Sequence, residues 1–143
     1  MNTHPEPARS LPVLGTWDVV VCGGGPAGCA AARTAALAGA RTLLIERDGH
    51  LGGTAVSSLV SVILSTNAMD FQGVWHDWAR ALERLGGISR LARGRHPVCP
   101  DWICGAVHPE AVKQAWDALL AEAGVELLHH AWIGGALRDG AGT

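Results

Sequence analysis

Three glycines, one acid and a glycine pair are the residues whose types and spacing could do chemistry in this chain. Gly23-x-Gly25-x-x-Gly28 follows an apolar run, Glu46 comes eighteen residues after the last of these glycines, and Gly52-Gly53 lies just beyond. In that context they suit the grip of a dinucleotide's phosphates and sugar. Gly23 permits a tight turn out of a strand, and Gly25 lets a pyrophosphate approach the backbone. Gly28 lets the following helix lie close on the sheet, while its N-terminus offers free N–H groups and a partial positive charge to the phosphates. Glu46 can accept hydrogen bonds from ribose hydroxyls, and its charge would repel a 2′-phosphate on that ribose.

The elements that must position these residues can be read around them. Trp17–Cys22 is an apolar run broken only by Asp18, as expected for a strand buried on both faces of a parallel sheet. Ala27–Ala38 reads as an alanine-rich helix ended by Gly39, and Arg41–Glu46 as a second strand. The right-handed crossover rule makes these one βαβ unit. Leu51–Leu64 is ambiguous in secondary structure. Trp75–Leu85 reads as an amphipathic helix with Trp75, Trp78, Ala79, Leu82 and Leu85 on one face. Residues 87–104 read as irregular, and their Arg90, Arg93, Arg95 and His96 suit a solvated loop better than an anion site. His108–Ala123 is a second helix, with Pro109 at its first position and Val112, Trp116, Leu119 and Leu120 as its buried stripe. Val125–Ile133 reads as a strand, and residues 134–143 as a strand entering a hairpin turn at Asp139-Gly140. The fold class expected is α/β, a Rossmann-like dinucleotide-binding domain around a parallel central sheet, incomplete at its end. Residues 1–15 form a flexible lead and 16–143 the domain.

With these residues in place, the chain resembles the FAD-dependent oxidoreductases that have a glutathione-reductase-like FAD domain. The likeness rests on Asp18–Gly28, Leu44-Ile45-Glu46-Arg47, Leu51-Gly52-Gly53-Thr54, His108–Lys113 and Ala123–His130. It implies FAD as cofactor, with contacts from Gly23, Gly25, Pro26, Ala27, Gly28, Glu46, Arg47, Gly52, Gly53 and Thr54. It also implies that backbone near Trp132-Ile133 meets the adenine. The disulfide-reductase branch of that family carries two cysteines just after its Gly-Gly-Thr, separated by four residues. Here those positions are Ala55 and Val60, so a glutathione- or lipoamide-reductase type of activity is not expected. The implied function is transfer of hydride or electrons from an organic small-molecule substrate. An NAD-dependent dehydrogenase built on the same βαβ unit is the alternative, as is a non-catalytic, truncated nucleotide-binding fragment.

Composition narrows the remaining classes. With 143 residues, 48% of them hydrophobic and 17% charged, the chain is long enough and apolar enough for one packed core. A net charge of −2 argues against nucleic acid as a partner. The lead has no apolar core of a secretory signal, and no apolar run approaches the length of a membrane span, so a cytoplasmic location is expected. Cys22 and Cys29 suit small buried hydrophobes. Cys99 and Cys104 have no second pair to complete a metal site, and none is expected. Trp75, Trp78, Trp102 and Trp116 read as core rather than as a substrate cage. His50, His76, His96 and His108 are candidates by residue type only, His129 and His130 would point to opposite faces of their strand, and no pattern singles out a catalytic acid or base. A sheet edge left open after Val125–Ile133 would favour self-association.

Overall fold

The computed structural model describes residues 10–66, 73–89, 92–94 and 102–138. Its elements run in the order β1 (Val19–Cys22), α1 (Pro26–Leu37), β2 (Thr42–Ile45), α2 (Thr54–Ser57), β3 (Val62–Thr66), α3 (Val74–Arg84), β4 (Ala92–Gly94), β5 (Trp102–Ala106), α4 (Pro109–Glu122) and β6 (Glu126–Leu128). The chain folds as α/β with a Rossmann-like parallel sheet of three strands in the order β1-β2-β6. Val19 lies opposite Thr42 and Cys22 opposite Ile45, and on the other side of β2 Leu43 meets Glu126. The βαβ unit is therefore present, and both β-to-α turns that carry the glycines open at the same end of the sheet.

Helix α1 packs on β1 and β2, and α3 and α4 pack on α1 and on each other. Cys29 and Ala32 of α1, Leu44 of β2, Leu82 of α3 and Val112, Ala115 and Leu120 of α4 are fully or almost fully buried between them. Small residues on α1 allow the close approach, and burial of each large side chain stabilises by roughly 1.5–3 kcal/mol. Trp78 and Trp116 stack with ring centroids 5.6 Å apart, and Trp75 lies 4.9 Å from Trp78. Trp78 and Trp116 are thus core and Trp75 packs half-buried against it, as their helical spacing predicts. Arg33, on the buried side of α1, pairs with Asp77 of α3 at 2.8 Å, and so ties the first helix to the third by charge as well as by packing.

Two expectations need correction. The first strand is not buried on both faces: Val19 and Val21 are half-buried, whereas Val20 and Cys22 are exposed. The helices cover one face of β1 only, so its alternation is that of a half-covered strand. Nor does the strand expected over Val125–Ile133 keep its length. Only Glu126–Leu128 pairs in register. His130 has a φ of +55°, which breaks the extended geometry, and the chain then runs past β2 through single bonds from Ala131 N–H to Glu46 O and from His130 N–H to Asp48 O.

The ambiguous 51–64 stretch divides into the short α2 and the start of β3. Strands β3, β5 and β4 form a second sheet, antiparallel and in that order, where an irregular segment was expected. Arg93 falls in β4 and Cys104 in β5, while Arg90, Arg95, His96 and Cys99 lie outside the described residues. The lead is described from residue 10, where Leu11, Val13 and Leu14 are exposed. Residues 139–143, with the expected hairpin turn, lie outside the described residues. Among the described residues no helix is long and apolar enough to cross a membrane.

Candidate functional site

The turn between β1 and α1 is built from backbone. Gly23 has a φ of +101°, a conformation that side chains disfavour. A methyl group on Gly28 would overlap the Gly23 carbonyl oxygen, so α1 can lie this close to the strand only with glycine there. Gly25 is different. It caps α1 with extended backbone, φ −72° and ψ 175°, and a Cβ on it would meet nothing within 4 Å. Pro26 and Ala27 follow as exposed residues of the first helical turn, where proline has no N–H and the N–H groups of Ala27 and Gly28 have no helical partner.

The loop after β2 closes on this turn. Gly52 N–H donates to Gly24 O at 2.9 Å. A Cβ on Gly53 would lie 3.0 Å from the Gly25 Cα. Gly52 itself is packed inward against Val56 and Val112, whereas Gly53 and Thr54 border an open cleft of about 470 Å³. That cleft is lined by Cys22, Gly23, Ile45, Glu46, Arg47, Asp48, Gly53, Thr54, Ser57, Ser58, Ala131, Trp132 and Ile133. The fold therefore brings Gly23, Glu46, Arg47, Gly53 and Thr54 onto one surface, with Gly25, Pro26 and Ala27 at the start of the adjoining helix. Gly28 and Gly52 serve from behind, by allowing close packing.

Glu46 sits at the end of β2 and is only 8% exposed. Its Oε2 accepts from Gly24 N–H at 2.5 Å and its Oε1 from Asp48 N–H at 2.8 Å. It is thus a strut between the two loops as well as a lining group. Each carboxylate oxygen keeps a second lone pair. Asp48 and Ser57 were not evident from the sequence as lining residues. Ser57 Oγ donates to Asp48 Oδ2 at 3.4 Å. Their signals were present: Asp48 stands two residues beyond Glu46, and Ser57 one helical turn beyond Thr54.

At the far end of the cleft Arg47 lies over the Trp132 ring, with its guanidinium carbon 5.6 Å from the ring centroid. Behind this end, His129 Nδ1 lies 3.2 Å from Asp48 O. None of His50, His76, His108, His129 or His130 lines the cleft. The two described free cysteines differ sharply. Cys22 is exposed at the cleft, whereas Cys29 is buried beneath the turn with Sγ donating to Gly24 O at 3.2 Å. Burial pushes the Cys29 thiol up to about 12, which keeps it protonated and unreactive. Ala55 and Val60, where a dithiol would stand, are respectively half-buried and exposed. Among the described residues no group of three or more acidic, His or Cys side chains could hold a metal ion.

This geometry fits a dinucleotide cofactor. Open space stands in front of Gly25, a helix start faces it, and a carboxylate and an aromatic ring follow along one cleft. The same conclusion comes from comparison with known proteins. Residues 18–143 match the family described as FAD dependent oxidoreductase. The chain is 40% identical over 78 residues to a dihydrolipoyl dehydrogenase of Trypanosoma brucei brucei, covering 54% of this chain and 16% of the relative. It is 34% identical over 122 residues to an NADH oxidase of Thermoanaerobacter brockii, covering 71% and 18%. Among solved structures, a geranylgeranyl bacteriochlorophyll reductase-like protein from Thermoplasma acidophilum superposes with a TM-score of 0.59 at 21% identity, over 87% of this chain and 32% of the other. The chain thus spans less than a fifth of the length of those two relatives. With residues 18–143 matched by the family, the chain belongs to the FAD-dependent oxidoreductases, and its cofactor is FAD.

Proposed function

We propose that this chain holds the ADP end of FAD in an enzyme that takes hydride or electrons from an organic small-molecule substrate and passes them to a second acceptor. The observation that carries this reading is the meeting of the two glycine loops. Gly53 lies against Gly25, and the Gly25 Cβ position is open, so a pyrophosphate can run along bare backbone at the start of α1. Thr54 borders the same path. Glu46, at the end of β2, would take the adenosine ribose through the lone pairs that its backbone donors leave free. When bound, FAD supplies the redox chemistry of its isoalloxazine ring. The residues of this chain bind and orient its far end. The absence of cysteine at 55 and 60 supports a reaction that uses no protein dithiol at those positions.

The test is equilibrium dialysis of the chain against FAD, ADP, NAD and FMN. The proposal expects FAD to bind, ADP to compete with it, and FMN, which lacks the adenosine, to compete poorly. Binding of FMN equal to that of FAD would place the recognition on the flavin end and overturn the assignment. Preference for NAD over FAD would favour the dehydrogenase reading instead.

A further inference from the structure

A second hollow lies on the helical side of the molecule, apart from the glycine loops. It encloses about 150 Å³ and is lined by Arg33 of α1, Asp77, Arg80 and Arg84 of α3, and Leu119 and Glu122 of α4. No residue lines both this hollow and the cofactor cleft. Arg33 is its unusual member. Its side chain is only 10% exposed, and its ion pair with Asp77 Oδ2 engages Nη1. The buried Nε has no hydrogen-bond partner, and a buried donor is costly to leave unmade. Arg80 and Arg84 stand one turn apart on α3 and have no ion-pair partner among the described residues. Like charges at that spacing disfavour a helix, and here both border a hollow that already contains a third guanidinium. Asp77 is taken up by Arg33, so Glu122 alone is left to face the other two cations.

We propose that this hollow binds inorganic phosphate, recognised as an oxyanion that still carries a proton. Guanidinium groups suit such a ligand because their forked N–H donors match the spacing of phosphoryl oxygens. Arg33 would offer its unmade donors from the buried side, and Arg80 and Arg84 would take the remaining oxygens from the rim. Glu122 decides which oxyanion enters. A carboxylate repels a fully ionised anion, but it accepts a hydrogen bond from a P–OH group. Phosphate at neutral pH keeps at least one such proton, and sulfate keeps none. The site belongs to the helices, and the inference does not depend on the FAD reading.

The experiment titrates the 143-residue chain with inorganic phosphate and with sulfate by calorimetry, at neutral pH and constant ionic strength, beside Arg84→Ala and Glu122→Gln. Both positions are exposed, so neither substitution disturbs the core. Phosphate should bind the native chain at least about tenfold more tightly than sulfate, which meets Glu122 as a like charge. Arg84→Ala should weaken phosphate binding by about tenfold, the lower end for one hydrogen bond between charged groups. Glu122→Gln should abolish the preference, because the neutral amide neither repels sulfate nor requires the proton. A native chain that binds no phosphate would overturn the proposal. Phosphate affinity unchanged in Arg84→Ala would put the anion elsewhere, the glycine turn included, and overturn it as well. Equal binding of the two anions by the native chain would refute the selection of a protonated ligand by Glu122.

Discussion

Alanine at Gly25 and alanine at Gly28 should have opposite effects, although the two glycines lie within one turn of sequence. At position 28 helix propensity alone would make alanine stabilising by about 1 kcal/mol. Against that stands the overlap of the new methyl with the Gly23 carbonyl oxygen, with the carbonyl carbon only 3.1 Å away. Relief requires α1 to withdraw from β1, but Cys29 and Ala32 on the same helix are fully buried in the core. Overpacking of this kind costs about 1–3 kcal/mol and occasionally more; because the obstacle is backbone, the upper end applies. The net expectation for Gly28→Ala is a loss of about 2 kcal/mol, or roughly 4–8 °C in Tm for a chain of this size. At position 25 the methyl meets nothing within 4 Å, and its φ of −72° suits any residue. The weaker helix cap costs about 0.5–1 kcal/mol, and the stiffer unfolded chain offsets about as much. Gly25→Ala should therefore fold as the native chain does, yet lose at least about tenfold in ADP and FAD affinity, with Gly25→Val losing all of it. Thermal unfolding by circular dichroism, run beside ligand titration, separates the two effects. A Gly25→Val protein that folds and binds normally would show that the phosphates pass elsewhere. A Gly28→Ala protein of native stability would show that the helix has room the structure denies it.

Glu46→Gln should weaken FAD and ADP binding by about 1.5–3 kcal/mol and destabilise the ligand-free chain as well, because an amide can accept only one of the two backbone N–H bonds; unchanged stability in urea would contradict the strut. In Cys29, the raised folded-state value means that native stability is full below pH 9 and falls as pH rises from there towards about 12. The chain has no tyrosine and one lysine, so Cys29→Ala should visibly flatten this alkaline decline, and alkylation at pH 8 followed by peptide mapping should mark Cys22 while sparing Cys29. Among the described residues β1 is an outer strand of its sheet with Val20 47% exposed, so the purified 143-residue chain is expected to self-associate; a monodisperse monomer in sedimentation would refute this.

The legible part of the site was the part made of backbone. Gly23, Gly25 and Gly28 announce a turn, an open approach and a close helix by the absence of side chains, and Glu46 is fixed to them by the length of one helix and one strand. Those are local rules, and the parallel β1–β2 pair follows from them. The second sheet follows none. Strand β4 is Ala-Arg-Gly and carries no alternation, while β3 pairs with β5 about forty residues further on. Such pairing is set by packing between distant segments, not by a period within either. The run Val125–Ile133 is apolar enough for a long strand, but His130 turns out of extended geometry and frees Trp132 to reach the cleft. Glu46 was readable as a lining acid; its bonds to Gly24 and Asp48 were not, because they depend on how closely the two loops meet.

The tryptophan stack gives the molecule an optical signature separate from its cleft. Trp78 and Trp116 lie 5.6 Å apart with ring planes 23° from parallel, and they join α3 to α4. Indoles so near and so oriented share their excited state, so their near-ultraviolet dichroism reports whether those two helices are docked. With no tyrosine and a single phenylalanine in the chain, that signal stands on an almost pure indole background. Loss of the dichroism would mark separation of the helices, and its persistence while ligand binding changes would mark an event confined to the cleft.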